Sequence, residues 1–142
     1  MVNDILSAIT KQLGLTFGNS YKYYVENVKQ NLTKPCFTVD ILEARERSKS
    51  KVLYDRTMPI VIHFFTDNEE TIKTDCYDMA ERIKECIEYL PFNGTTLRGD
   101  NVRWVMVEDV LELFITYRFT TRTVVDETIM YDLVHPKISA KS

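Results

Sequence analysis

Glycine, cysteine and histidine are all scarce in this sequence. Its 142 residues include four glycines, three cysteines and two histidines. The glycines are not clustered, which excludes a glycine-rich loop of the kind that cradles phosphates. The cysteines and histidines show none of the spacings typical of zinc sites, such as CxxC, HxxxH or HExxH. This scarcity disfavours nucleotide-dependent and zinc-dependent enzymes, and we expect the protein to need no metal and no cofactor.

The chain also lacks a strong charge and a long apolar run. Eighteen Lys and Arg residues against 21 Asp and Glu residues give a net charge of −3 at pH 7. This charge disfavours a protein that binds DNA phosphates regardless of sequence, and we expect no sequence-specific nucleic-acid binding either. No stretch approaches the roughly 20 apolar residues that span a bilayer, and no secretory signal is visible. We expect no association with membranes.

Disulfide bonds are disfavoured as well. The cysteines are Cys36, Cys76 and Cys86, an odd number. Cys76 and Cys86 belong to one predicted helix and lie about 15 Å apart along its axis, whereas a disulfide requires Cα atoms closer than about 7 Å. We therefore predict reduced thiols, which are typical of a cytoplasmic setting.

What the sequence does contain indicates one folded domain. Apolar residues make up 44% of the chain and aromatic residues 11%, which is ordinary for a protein with a packed core. A chain of this length buries roughly 68–70% of its unfolded surface. We predict a single domain over residues 1–142, in which residues 123–142 form a polar C-terminal extension.

The strongest pattern lies in Val102–Arg122, where apolar and polar residues alternate on either side of Glu108-Asp109. Alternation with a period of two predicts a β-hairpin around this acidic turn. A long hairpin without residues that suggest catalysis favours a scaffolding or assembly role. The side chains expected on one face are Val102, Trp104 and Met106 in the first run and Leu111, Leu113, Ile115, Tyr117 and Phe119 in the second.

Two segments have helical periodicity. The first is Val2–Leu13, with Gly14 in the left-handed position just past its end. The second covers about residues 68–90, and Asp67–Glu70 form an acidic first turn that suits the helix macrodipole. The apolar stripe of this second helix consists of Ile72, Cys76, Met79, Ala80, Ile83, Ile87 and Leu90.

Strands are predicted at Tyr21–Val25, from Cys36 onward and within Val52–Phe65. Pro59 interrupts the last of these and, because it cannot donate to a ladder, marks an edge, a bulge or the true start of the strand. Glu43–Lys51 has six charged residues and no large apolar one, which predicts an exposed loop or hairpin tip. The order α-β-β-β-α-β-β predicts an α+β fold, a mostly antiparallel sheet with both helices packed on one face.

Cys76 and His63 are the residue types that form a nucleophile and its base. Cys76, however, lies on the apolar stripe of the helix, where a small buried residue is expected, and no third residue to orient the base is evident. We expect His63 to be a surface or edge histidine, and we predict no catalytic residue. Arg98-Gly99-Asp100, a tripeptide known from adhesion ligands, is interpreted as a turn that leads into the hairpin.

Charge is distributed unevenly along the chain. Asp67–Glu88 holds eight acidic and three basic residues, whereas Glu43–Lys51 holds four basic and two acidic ones. A solvated helix face and a solvated loop account for both, but opposite patches on one small domain also permit head-to-tail contacts between copies. The candidate assembly interface consists of Arg45, Arg47, Lys49, Lys51, Glu81, Glu85 and Glu88.

The order of several short phrases carries a family resemblance. From about Asn3 to Leu133 the chain resembles the tail terminator proteins of tailed phages and of prophages of Gram-positive bacteria. A short amphipathic N-terminal helix is common to both. The matching phrases are Lys34-Pro35-Cys36-Phe37, the run RTMPIVIHFF at Arg56–Phe65, CYDMAE at Cys76–Glu81, LRGD at Leu97–Asp100 and MYDL at Met130–Leu133.

The resemblance implies a small α+β domain that assembles as a hexameric ring. Such a ring caps the tail tube, ends tube polymerisation and presents the surface that joins the tail to the head. The implied partners are other copies of the chain, the tail tube protein and the head–tail connector or neck proteins. The implied location is the tail end or neck of the virion, and the cytoplasm of the bacterial host during assembly. Neither a catalytic residue nor a cofactor comes with the family.

Two alternatives are open from the sequence. The first is that the chain is another head–tail connector or tail-completion protein of similar size, which would be equally non-enzymatic. Otherwise it is a small cytoplasmic ligand-binding domain or enzyme that uses Cys76 and His63.

Overall fold

A computed structural model describes residues 2–25, 32–123 and 131–133 of the chain. Within these residues it contains two helices and eight strands. The helices are α1 (Val2–Phe17) and α2 (Ile72–Ile87), and the strands are β1 (Lys22–Val25), β2 (Cys36–Ile41), β3 (Arg45–Ser48), β4 (Leu53–Phe65), β5 (Tyr89–Phe92), β6 (Thr95–Val107), β7 (Val110–Thr123) and β8 (Tyr131–Leu133).

The strands form one sheet in the order β1-β2-β4-β7-β6-β5, with β3 also paired to β4 and β8 also paired to β7. The β1–β2 pair is parallel, and the other pairs are antiparallel. The neighbouring long strands β4 and β7 pair continuously from Leu53 opposite Arg122 to Phe64 opposite Leu111. Each of the other strands pairs either with one of these two or with a strand beside them.

Both helices pack on one face of the sheet and share a single core with it. Ile5, Ile9 and Leu13 of α1 and Ile83 and Ile87 of α2 are fully buried in that core. The predicted α+β class is therefore confirmed, and so is the arrangement of the helices.

The hairpin predicted around Glu108-Asp109 is present as β6 and β7. Both turn residues have positive φ, 49° for Glu108 and 65° for Asp109, as a two-residue turn between twisted antiparallel strands requires. The predicted apolar face of β7 is also confirmed, because its side chains from Leu111 to Tyr117 at alternate positions are fully buried. The buried residues are Leu111, Leu113, Ile115 and Tyr117.

The first helix is longer than predicted. It continues through Gly14 to Phe17, and Gly18, with φ +82°, takes the left-handed position that was assigned to Gly14. A glycine inside a helix costs roughly 0.5–1 kcal/mol relative to alanine. That cost is offset because the extra turn buries Phe17, whose ring lies 5.1 Å from that of Phe37.

The second helix is shorter than predicted at both ends. Asp67–Glu70 do not form its first turn, because the Asn68 side chain accepts a hydrogen bond from the Glu70 N–H and donates one to the Thr71 hydroxyl. Such local side-chain bonds offer the backbone an alternative to the helix. At the other end Leu90 is fully buried as predicted, but within β5 rather than within the helix.

Pro59 lies in the middle of β4, so it marks neither the start of the strand nor the margin of the sheet. Its carbonyl accepts a hydrogen bond from the Leu42 N–H, and the N and C=O of one strand residue face the same neighbour. The missing N–H of Pro59 therefore faces the irregular stretch between β2 and β3, where residues 42–44 lie opposite Met58 and Pro59, as in the bulge that was one of the predicted alternatives. The sheet tolerates the proline for that reason.

Three short strands were not predicted. β3 lies within the charged segment Glu43–Lys51 and is exposed throughout, as a hairpin with β4. β5 forms a second hairpin with β6 around Asn93-Gly94. β8 falls within the predicted C-terminal extension, residues 123–142, and pairs with the end of β7. The rest of that extension beyond Thr123 lies outside the described residues.

Candidate assembly surface

The long strands of the sheet have one half beneath the helices and one half beyond them. Ile60–Phe65 of β4 pair with β2, whereas Tyr54–Thr57 pair with β3. We call the second half the arm; it consists of β3, the turn at residues 49–52, residues 53–57 of β4, residues 118–123 of β7, and β8. The side chains of the arm are mostly polar, whereas β4 and β7 are mostly apolar in the half beneath the helices.

Arg56 is the central side chain of the arm. Its Nη1 lies 2.9 Å from Oε2 of Glu46 on β3, and its Nε donates to the Thr121 hydroxyl on β7 at 2.9 Å. Only 11% of the Arg56 side chain is exposed, and Thr121 is fully buried. One cation thus ties three strands together at the margin of the apolar core.

The outer face of the arm is richer in cations than in anions. Asp55 accepts a hydrogen bond from the Thr120 hydroxyl at 2.8 Å and lies 3.9 Å from the Lys49 Nζ. Arg118 is paired with Asp100 at 2.6 Å. An open groove of about 640 Å³ runs along the arm. It is lined by Arg45, Glu46, Arg47, Asp55, Arg56, Thr57, Arg118, Phe119 and Thr120.

All four predicted basic interface residues lie on this arm. Arg45 and Arg47 belong to β3, while Lys49 and Lys51 belong to the turn between β3 and β4, and all are exposed. Their exposure agrees with a solvated loop as well as with a contact surface. Their role in assembly is therefore still a prediction.

The predicted acidic residues lie elsewhere. Glu81 and Glu85 are exposed on α2, and Glu88, just past the end of α2, lies 3.9 Å from Arg98. α2 packs against α1, β5, β6 and β7, whereas β3 pairs with β4 on the arm. The fold therefore does not bring the basic and acidic sets together within one copy.

A second acidic group, not predicted as part of the interface, lies at the opposite end of β4 and β7 from the arm. There the chain leaves β4 through Asp67, Glu69 and Glu70, and turns from β6 to β7 at Glu108 and Asp109. We call these five residues the acidic end. Eleven residues of β4 separate Leu53 on the arm from Phe64 beside the acidic end, a length of about 36 Å. The acidic turn at Glu108-Asp109 was predicted from the sequence, but its position beside the end of β4 depends on the β4–β7 pairing.

The candidate catalytic pair is separated by the sheet. Cys76 is fully buried in the core beneath α2, and burial raises the pKa of its thiol. His63 points to the opposite face, where its Nε2 lies 3.4 Å from Oε2 of Glu112. His63 is not the surface or edge histidine that was predicted, because β4 is an inner strand and only 13% of the side chain is exposed.

The other two cysteines are also buried and free, so the expected reduced thiols agree with the structure. Burial raises the pKa of Cys36 and of Cys86. The Cys86 thiol lies 3.0 Å from the hydroxyl of Thr16 on α1. Cys76 and Cys86 fill the core between helices and sheet, whereas Cys36, next to the core residue Phe37 in β2, is buried on the other face of the sheet.

Arg98-Gly99-Asp100 lies inside β6, so the turn predicted for it is wrong. Gly99 packs against the buried side chain of Ile115, which a Cβ at this position would overlap. Arg98 is near Glu88, and Asp100 is paired with Arg118. The tripeptide is thus explained by contacts within the sheet.

The described part of the chain has neither a metal-binding cluster nor a helix that could span a membrane. No group of three or more His, Cys, Asp or Glu residues there is arranged to hold a metal ion. No helix there is long and apolar enough to cross a membrane.

A small α+β domain with a basic arm and an acidic end at opposite ends of two long strands is suited to assembly with other proteins. A family model described as "Phage tail terminator protein" matches residues 4–129. The chain therefore belongs to the phage tail terminator family, a family of structural virion proteins, and has a structural role in the phage tail.

Other comparisons add little. The comparison with curated proteins finds no match. One solved structure is similar to this chain with a TM-score of 0.45 and 10% sequence identity, covering 88% of this chain and 97% of its own. A likeness of this size says nothing further about the protein.

Proposed function

We propose that the protein forms a ring that caps the tail tube, ends its polymerisation and presents the surface on which the head joins. The observation that carries this proposal is the family match over residues 4–129. The ring is built from copies of this chain. Its other partners are the tail tube protein on one side and the head–tail connector or neck proteins on the other.

The charge distribution supports contacts between copies. The arm carries Arg45, Arg47, Lys49 and Lys51, and the acidic end lies about 36 Å away along β4. A surface that differs from the one it meets forms head-to-tail contacts, which close into a ring when the rotation allows. Complementary charge steers such contacts and fixes their orientation.

Termination follows from the two faces of such a ring. A growing tube exposes an unsatisfied interface at its end, and a ring complementary on one face occupies it. The other face of the ring does not accept a further tube subunit, so growth stops there. Specificity of this kind depends on what the second face excludes as much as on what the first face binds.

The proposal is tested by electron microscopy of particles assembled without the protein. We expect overlong tail tubes without attached heads, and tubes of normal length when the protein is supplied from a plasmid. Tails of normal length that fail to attach to heads would contradict the capping role. That result would instead indicate another head–tail connector or tail-completion protein.

A further inference from the structure

The outer edge of β6 is unpaired over much of its length within the described residues. β5 pairs only with Thr95–Arg98 of the 13-residue strand. Gly99 follows, and its N–H donates to the Glu88 carbonyl. Beyond it β6 continues to Val107 with β7 on its inner side. The part of β6 nearest the hairpin turn therefore has an unpaired backbone edge within the described residues.

The direction of the backbone groups on this edge follows from the turn. In a two-residue hairpin the flanking residues, here Val107 and Val110, exchange hydrogen bonds, and every second residue does so along the strand. Arg103, Val105 and Val107 therefore turn their N–H and C=O groups toward β7. Those of Trp104 and Met106 point outward, away from the sheet.

The side chains along this edge are apolar. Trp104-Val105-Met106-Val107 contains no charge and no proline, and Val105 and Val107 are 42% and 43% exposed. Exposed edges in folded proteins are usually protected by charges, prolines or bulges because they pair readily with other strands. β3 has that protection, since its sequence is Arg-Glu-Arg-Ser. The end of β6 has neither a charge nor a proline between Trp104 and Val107, and the irregularity of β6 lies before this segment, between Asp100 and Arg103.

The opposite margin of the same sheet is formed by β1. Within the described residues β1 pairs only with β2, and its Val25 is 41% exposed. Lys22 and Lys34 lie beside this margin, whereas Glu108 and Asp109 follow the β6 edge. The two margins thus both expose apolar side chains and lie at different sides of the sheet, with cations beside β1 and, after the exposed Arg103, two anions at the turn end of the β6 edge.

We propose that the Trp104–Val107 edge of one copy adds as a strand to β1 of the next copy. The inference rests on the proposed ring and adds a main-chain contact between copies to the charged contact proposed for the arm. Because the two edges differ, the contact is head-to-tail and does not stop at a dimer. Main-chain hydrogen bonds hold the strands together, and the apolar side chains on either face add specificity.

Cross-linking tests which edges meet. The three native cysteines are buried, so a short bifunctional maleimide reacts selectively with an introduced surface thiol. One protein carries Val25→Cys and a second, with a distinguishable tag, carries Val105→Cys. We expect a covalent pair in the mixture and none in either protein alone. A pair formed by the Val105→Cys protein alone, or no pair although the wild type assembles, would overturn the proposal.

Assembly of single variants provides a second measurement. In sedimentation velocity over a range of concentrations, Val105→Lys is expected to raise the concentration at half assembly by about thirtyfold or more, the effect of losing one hot-spot side chain. The control is Leu15→Lys on α1, which is 74% exposed and is expected to leave assembly unchanged. Equal effects of both variants, or a wild type that never self-associates even with tube ends present, would overturn the inference. The tube-length experiment tests the capping role separately, so the two failures are distinguishable.

Discussion

The helix-covered half of the sheet and the arm share the strands β4 and β7 but are stabilised in different ways. In the covered half, Ile62 and Leu113 face each other across the two strands and are fully buried beneath the helices. In the arm the corresponding row is Arg56 opposite Phe119, and Arg56 is held by Glu46 and Thr121. Apolar burial stabilises one half, whereas hydrogen bonds and ion pairs order the other. The protein can therefore carry a charged contact surface on the same strands that build its core.

The largest difference between the halves is expected for removal of a core side chain. Leu113→Ala should lower the free energy of unfolding by about 2–5 kcal/mol, because it leaves a cavity between β4, β6 and the helices. Urea denaturation at neutral pH measures this loss. The control Leu42→Ala, at an exposed position just past β2, should change stability by less than about 0.5 kcal/mol. Similar losses for both would show that the core is not where the stability resides.

Within the arm, Arg56→Ala should cost about 1–3 kcal/mol, because the buried Thr121 hydroxyl loses its partner and Glu46 loses its ion pair. Arg45→Ala, which removes an exposed ion pair with Glu43, should cost less than about 1 kcal/mol. Hydrogen exchange is the sharper measurement. We expect faster exchange in β3 and the paired part of β4 for Arg56→Ala, and unchanged exchange beneath the helices. Faster exchange throughout the sheet would contradict the separation of the two halves.

Much of the covered half could be predicted from the sequence, because it depends on periodicity within single elements. The alternation of Leu111–Tyr117 and the apolar stripe of α2 both confirm this. The arm and the acidic end could not be predicted, since they depend on which strands pair over long distances. Pro59 illustrates the limit: whether it is tolerated depends on the irregular stretch between β2 and β3, which only the assembled sheet shows.

A smaller effect is expected for the buried hydroxyl of Tyr117, which donates to the Ile87 carbonyl at 2.6 Å. Tyr117→Phe should cost about 1 kcal/mol at neutral pH. Burial raises the pKa of Tyr117 above its ordinary value. Above about pH 10 the unfolded tyrosine therefore ionises while the folded one keeps its proton, and the contribution of Tyr117 to stability falls.

The stability difference between wild type and Tyr117→Phe should thus narrow as the pH rises from about 7 to about 11. The buried cysteines titrate in the same range but are common to both proteins, so they cancel in the difference. Urea denaturation of both proteins across this range checks the expectation. A difference that stays constant with pH would mean that the hydroxyl is accessible to water in the folded state.

The smallest expected effect on the fold comes from a change that is expected to impair assembly. Replacing Arg45, Arg47, Lys49 and Lys51 by Glu changes only exposed side chains, so the melting temperature should stay within a few degrees of the wild type. The same change reverses the charge of the arm and should impair the contacts between copies. A variant that loses stability in proportion to its loss of assembly would show that the arm supports the fold rather than the contacts.

The most direct test measures the length of tail tubes in particles assembled with this fourfold variant in place of the wild type. The account predicts a folded protein, overlong tubes and few attached heads. Tubes of wild-type length with attached heads, in particles shown to contain the fourfold variant, would contradict the role given to the arm.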